Sequence, residues 1–225
     1  MTRDEQYAPA SVWDAKFRAL LAAGEPDRSH QWLDPFLPLL AARGCRRVLD
    51  LGCGTGFDAL ALARHGYAAE GIDYCDAAIG AAVDRAADAG LAVAFRRGDI
   101  CAPLPYPDHA FDAVISNLVL HSFANAELAR IIAEVGRCLR PGGLFAFHAN
   151  STADCELRTA FQPPERRLGP CSYVLAGGQT MHFLARDDIE ALWADWEPIL
   201  LEPVTRRDAR GDPIKHVWRC AVGKR

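Results

Sequence analysis

The chain has 225 residues, half of them apolar, which is the scale of one domain with a sizeable core. Its formal charge of −4 comes from 29 acids and 25 bases that are interspersed without a run of five like charges, so nucleic acid is not an expected partner. Charge or proline interrupts every apolar stretch before the length of a membrane span, and the polar start Met1 to Gln6 is unlike a signal peptide; the expectation is a cytoplasmic protein with no membrane attachment. The eight cysteines form no CxxC pair and are irregularly spaced, so we expect no metal site and mostly small buried thiols.

In chain order, residues 11–22 suit a helix with Ser11 as N-cap, and Asp34-Pro35 opens another that ends at Gly44. Val48 to Leu51 is a short apolar strand, followed by Gly52-Cys53-Gly54-Thr55-Gly56 and helical spacing from Phe57 to Arg64. A second strand, Tyr67 to Ile72, runs into Asp73. A helix from Asp76 to Ala89 and a third strand around Phe95 come next, then a fourth strand, Phe111 to Asn117. Between Asn125 and Leu139 a helix would bury one face made of Leu128, Ile131, Ile132, Val135 and Leu139. A strand at Leu144 to His148 precedes an irregular stretch, Asn150 to Gln179, read as a functional loop. Arg186 to Trp193 reads as a helix, and Pro198 to Thr205 and Ile214 to Val222 as strands joined by a turn at Arg210-Gly211-Asp212-Pro213. The fold class expected is α/β: a doubly wound, Rossmann-like, seven-stranded, mostly parallel sheet with a C-terminal antiparallel hairpin. It would form a single domain, with residues 1–45 as a helical lid, 46–149 as the cofactor-binding core and 150–225 as substrate loop and hairpin.

The alternating glycines let the backbone turn tightly against a ligand. Asp73, at the carboxyl end of its strand, can accept both hydroxyls of a ribose. A dinucleotide fingerprint is Gly-x-Gly-x-x-Gly, but here the third glycine comes one residue early and Asp50 stands two residues before the first. A diphosphate beside that carboxylate would be repelled by several kcal/mol at an effective dielectric of roughly 20, whereas a cation would be attracted. S-adenosylmethionine has the matching parts: a ribose for Asp73, an aminoacyl tail for the glycine passage, and an ammonium that Asp50 attracts directly or through water.

At these residues the sequence resembles the class I S-adenosylmethionine-dependent methyltransferases, whose first motif is an acid followed by Gly-x-Gly-x-Gly. Phe95-Arg96-Arg97-Gly98-Asp99-Ile100, Phe111 to Asn117 and Leu139-Arg140-Pro141-Gly142-Gly143-Leu144 follow in the family's order, so the resemblance covers residues 46–149. It implies S-adenosyl-L-methionine as cofactor, released as S-adenosyl-L-homocysteine. The holding residues it implies are Trp13, Asp50, Gly52, Cys53, Gly54, Gly56, Asp73, Tyr74, Asp99, Ile100, Asn117 and Leu118. Asp99 would receive the adenine amino group and Cys53 would fill space under the ligand; Asn117 either contacts the cofactor or shapes its turn.

His121, just past the fourth strand, is the candidate catalytic base or substrate hydrogen-bonder, since an imidazole with a pKa of about 6.5 suits proton transfer near neutrality. The alternative is a ring that only packs or caps the next helix. Trp13 to Phe17 resembles the aromatic segment that folds over the cofactor in many small-molecule methyltransferases, or is an ordinary amphipathic helix. His148, Asn150, Arg158, Tyr173 and His182 are candidates for lining an acceptor pocket. The stretch from Asn150 to Trp218 is similar, more loosely, to the tellurite-resistance-type subfamily. The implied function is methyl transfer to a heteroatom (S, N, O or chalcogen) of a small molecule, by a monomer or homodimer. Two other readings stay open: an NAD(P)-dependent oxidoreductase on a similar sheet, and a non-catalytic cofactor-binding protein.

Overall fold

Val48, Leu49 and Leu51 are fully buried because the strand they form, β1 (Arg47–Leu51), has parallel neighbours on both sides and a covered surface on both faces. The computed structural model describes residues 7–25 and 32–225, so parts of the expected lid, residues 1–6 and 26–31, and the polar start lie outside the described residues. After β1 come α3 (Phe57–Arg64), β2 (Ala68–Asp73), α4 (Asp76–Asp88), β3 (Ala94–Arg97), β4 (Phe111–Asn117), α5 (Asn125–Cys138) and β5 (Leu139–Asn150). Before it stand α1 (Ala10–Ala22) and α2 (Leu37–Ala42). The chain closes with α7 (Arg186–Leu192), β9 (Glu197–Arg207) and β10 (Pro213–Gly223). The sheet order is β3-β2-β1-β4-β5-β10-β9, with β10 antiparallel to both β5 and β9. The expected seven-stranded, mostly parallel sheet with its terminal hairpin is therefore the observed one.

The chain leaves β3 at one edge and returns as β4 on the far side of β1. This reversal opens a crevice beyond the carboxyl ends of β1 and β4, the place where open α/β sheets hold ligands. Period-two alternation assigns the faces. Val48 packs with Leu40 of α2 and Ala59 and Leu62 of α3, while Leu49 and Leu51 face the larger core with Phe145, Phe147 and Trp193. The α5 face is as the spacing requires, with Leu128, Ile131, Ile132 and Val135 buried; Leu139, expected on the same helix, is buried as the first residue of β5. Each such side chain contributes about 1.5 to 3 kcal/mol relative to exposure.

Three local expectations are corrected. Pro9, not Ser11, stands before α1, and no side chain caps it. Residues 32–36 turn before α2 begins at Leu37, because Leu33 and Phe36 are buried and the Phe36 amide bonds the Leu33 carbonyl at 2.8 Å; Asp34 caps nothing there. The stretch 150–179 is not irregular. It holds α6 (Cys155–Phe161) and, with the residues after it, an antiparallel sheet of β6 (Pro164–Gly169), β7 (Ser172–Leu175) and β8 (Thr180–His182) around a small core of Cys155, Tyr173, Leu175, Met181 and Phe183. Among the described residues no helix is long and apolar enough to cross a membrane.

Candidate active site

The glycine loop is tied to the end of β2. The amides of Gly52 and Cys53 both donate to the Ile72 carbonyl, at 2.8 and 3.0 Å, and the Gly54 amide donates to Asp73 Oδ2 at 2.9 Å. Asp73 Oδ1 accepts the Cys75 amide at 3.0 Å. Burial raises the Asp73 carboxyl above its usual range, and these amide bonds pull it back. A carboxylate offers about four acceptor positions, so Asp73 keeps capacity for further donors. Gly52 is required by contact as well as conformation: its φ is +75°, and a Cβ would lie 2.6 Å from the Val119 side chain.

A cavity of about 910 Å³ opens over this loop, within the upper range for small-molecule sites of roughly 300–1,000 Å³. It brings together Trp13, Gly52, Cys53, Gly54, Asp73, Tyr74, Asn117, Leu118 and His121, together with His148 and Arg158. A recess of about 40 Å³ continues from it along Gly52, Asp73 and Tyr74 to Asp99 and Ile100, where Tyr7 Oη donates to Asp99 Oδ2 at 3.4 Å. Helix α1 lies over the loop, with Phe17 3.2 Å from where a Gly54 Cβ would stand and Trp13 on the cavity wall.

Two expected residues are placed elsewhere. Gly56, with φ +84°, starts α3, and a Cβ there would meet Ala82 and Phe95 rather than a ligand. Asp50 shares the face of Val48, is 1% exposed, and accepts the Ala59 amide of α3 at 3.1 Å. Burial, with Asp58 nearby, holds its carboxyl well above the ordinary range. The acid on the cavity wall beside the loop is Asp58, which accepts Trp32 Nε1 at 2.8 Å and Asn117 Nδ2 at 3.1 Å. Sequence reading missed Asp58 because an acid in a helix's first turn is ordinary dipole complementation. Tyr173 and Asn150 are buried away from the cavity wall, and His182 bonds Ser172 through Nδ1 at 3.0 Å.

Past β4 the backbone turns sharply. Leu118 takes φ +58°, rare for a non-glycine residue, and its amide donates to the His148 carbonyl at 3.0 Å. Residues Leu120–Ser122 then form a short 3₁₀ turn that carries His121. The imidazole is 4% exposed, and its Nδ1 has no hydrogen-bond partner among the described residues. Burial, then the charges of Lys215, Arg158 and Lys16, hold its pKa well below the usual value, so the ring is neutral at pH 7. His148, on β5 opposite Asn117, is likewise pushed down, to about 3, by burial and then Arg219.

Residues 48–143 match the family model described as a methyltransferase domain. The matched segment runs from within β1 to past β4 and contains the glycine loop and Asp73. Among curated proteins, an uncharacterised methyltransferase of Synechocystis is 36% identical over 57% of this chain and 57% of its own, and a demethylmenaquinone methyltransferase of Thermus thermophilus is 37% identical over 50% and 51%. The chain spans about half the length of the curated relatives it matches. Three solved structures share the fold. One, described as converting a disulfide bond into a thioacetal group during echinomycin biosynthesis, has TM-score 0.71 at 24% identity, covering 96% of this chain and 91% of that one. The Burkholderia thailandensis 1,6-didemethyltoxoflavin-N1-methyltransferase, with bound 1,6-didemethyltoxoflavin and S-adenosylhomocysteine, has TM-score 0.70 at 19% identity over 96% and 88%. TehB from Haemophilus influenzae has TM-score 0.65 at 18% identity over 93% and 67%; it is a structural neighbour and assigns no subfamily.

Proposed function

We propose that this chain is an S-adenosylmethionine-dependent methyltransferase acting on a heteroatom of a small molecule. The observation that carries the reading is Asp73: its carboxylate is tied to the glycine loop, faces the cavity and retains acceptor positions where a ribose would lie. The lining suits the cofactor, since Gly52 and Gly54 leave a bare backbone passage and Asp58 is a carboxylate beside it for an ammonium. When bound, S-adenosylmethionine supplies a methyl group on a sulfonium, an electrophile that needs only an aligned nucleophile. His121 serves as the base for acceptors that carry a proton: its ring is neutral, lines the cavity and has a free Nδ1. Trp13 and Phe17 of α1 act as the cover over the cofactor.

The oxidoreductase reading is weaker for a physical reason: a diphosphate over this loop would meet Asp58 on the wall, with no basic side chain of the loop to offset it. Calorimetry tests the proposal. S-adenosylhomocysteine should bind and NAD should not, and Asp73→Ala should weaken binding by about 1 to 3 kcal/mol, the range for losing hydrogen bonds to a charged group. Absence of S-adenosylhomocysteine binding to the wild-type chain would end the methyltransferase reading. His121→Ala should lower kcat on a hydroxyl or amine acceptor by about 100-fold or more while leaving cofactor affinity intact.

A further inference from the structure

The charged lining of the cavity comes from several elements. Asp58 and Asp73 stand at the glycine-loop end, Lys16 and Glu25 line it from α1 and the residues after it, and Arg158, Arg206, Lys215 and Arg219 come from α6, β9 and β10. Arg219 is matched by Glu202, 2.6 Å from Nη1. Arg158 and Arg206 have no carboxylate partner among the described residues. Lys215 is only 14% exposed, and its nearest carboxylate oxygen, Asp154 Oδ2, is 4.0 Å away. The other Asp154 oxygen is taken by the His216 amide at 2.6 Å.

Cations gathered in a part-buried space with one distant counter-charge repel one another unless a ligand completes the set. Lys215 registers this, its pKa lowered to about 8 by burial and then by Arg158, with Asp154 acting the other way. Two buried polar atoms of the cavity lining also lack hydrogen-bond partners among the described residues: Gln179 Nε2, an amide donor, and His121 Nδ1.

We propose that this end of the cavity is an anion receptor, and that the methyl acceptor is a small organic anion whose carboxylate or similar oxyanion is held by Arg158, Arg206 and Lys215, with its nucleophilic atom beside His121. The identification as acceptor rests on the methyltransferase reading; the anion site rests on the lining alone. Guanidinium forks match planar oxyanions in two parallel bonds, and a half-buried ammonium adds a point charge.

The test is calorimetry on the full chain saturated with S-adenosylhomocysteine, titrated with 4-hydroxybenzoate and 3-mercaptopropionate and, separately, with their methyl esters. The carboxylates are expected to bind at least ten-fold more tightly than the esters. That preference should vanish in Lys215→Met and in Arg158→Ala, with S-adenosylhomocysteine affinity serving as the fold control in both. Acids and esters binding alike, neither acid binding at millimolar concentration, or carboxylates displaced by S-adenosylhomocysteine would each overturn the proposal, the last by showing that these cations hold the cofactor's own carboxylate. If S-adenosylhomocysteine itself fails to bind, the methyltransferase reading falls, and the acid-to-ester comparison on the cofactor-free chain still decides the anion site.

Discussion

At the scale of single residues, the loop owes its shape to a pair that the motif alone does not reveal. Gly52 and Val119 approach so closely that a methyl group cannot fit, at a φ that L-residues rarely adopt. Gly52→Ala should therefore cost about 1 to 3 kcal/mol, read by urea denaturation, and weaken S-adenosylhomocysteine binding. Adding Val119→Ala should restore part of the stability by removing the clash, but none of the conformational cost. His148 gives a pH signature. Its pKa is about 3 in the fold and about 6.5 unfolded, so the ring's neutral form favours the fold above pH 6.5 and that contribution is lost as pH falls toward 3. At about 1.4 kcal/mol per pH unit, roughly 2 to 3 kcal/mol goes between pH 6.5 and about 4.5. The raised carboxyls of Asp50 and Asp73 work in the opposite direction, so the measurable quantity is the difference from His148→Asn. The wild-type advantage should shrink by that amount over this interval, and a constant difference would show that the imidazole takes up a proton freely in the fold.

At the scale of elements, what could be read from the chain was what local pattern dictates. Strands covered on both faces show as apolar runs, as Val48 to Leu51 and Val114 to Ile115 do, and α5 shows its 3.6-residue stripe. The sheet order and hairpin followed from these and from the family resemblance. The segment after β5 escaped because β7 and β8 are only four and three residues long, and their buried Tyr173, Leu175 and Met181 are separated by a glycine turn and flanked by Arg and Pro. No window of useful length carries a period. That Asp73 lies at the cavity was legible from its place at a strand's carboxyl end. Which other acid lines the cavity was not, because side-chain direction decides it: Asp50 turns to the Ala59 amide of α3, whereas Asp58 is on the wall. Two outcomes belong here. Leu128→Ala on the α5 face should cost about 2 to 5 kcal/mol by chemical denaturation. A recess of about 40 Å³ holds one or two waters but not a nucleobase, so on the proposed function Tyr7 would have to yield for an adenine to reach Asp99. Amide exchange in residues 7–22 should change on adding S-adenosylhomocysteine, and Tyr7→Ala should not abolish binding.

At the scale of the whole molecule, the cavity reaches both halves of the sheet: Asp73 at the end of β2 and Asp58 of α3 line one side, and Arg206 of β9 with Lys215 and Arg219 of β10 line the other. The pieces added after β5 form their own small core, separate from the two that sandwich the sheet. Segments with few shared apolar contacts open more readily than the body they sit on, so residues 152–183 should lose amide protection faster than β1, β4 and β5 in exchange experiments.

The chain departs for this excursion and comes back at one spot. Ser151 and Leu184 bridge each other, the Leu184 amide reaches the Asn150 carbonyl at 3.0 Å, and the Thr152 amide reaches the Leu184 carbonyl at 3.1 Å. Entry and exit are thus fastened side by side, and the intervening thirty or so residues reach back to the body of the fold through Asp154, which accepts the His216 amide of β10, and through Arg158 on the cavity wall.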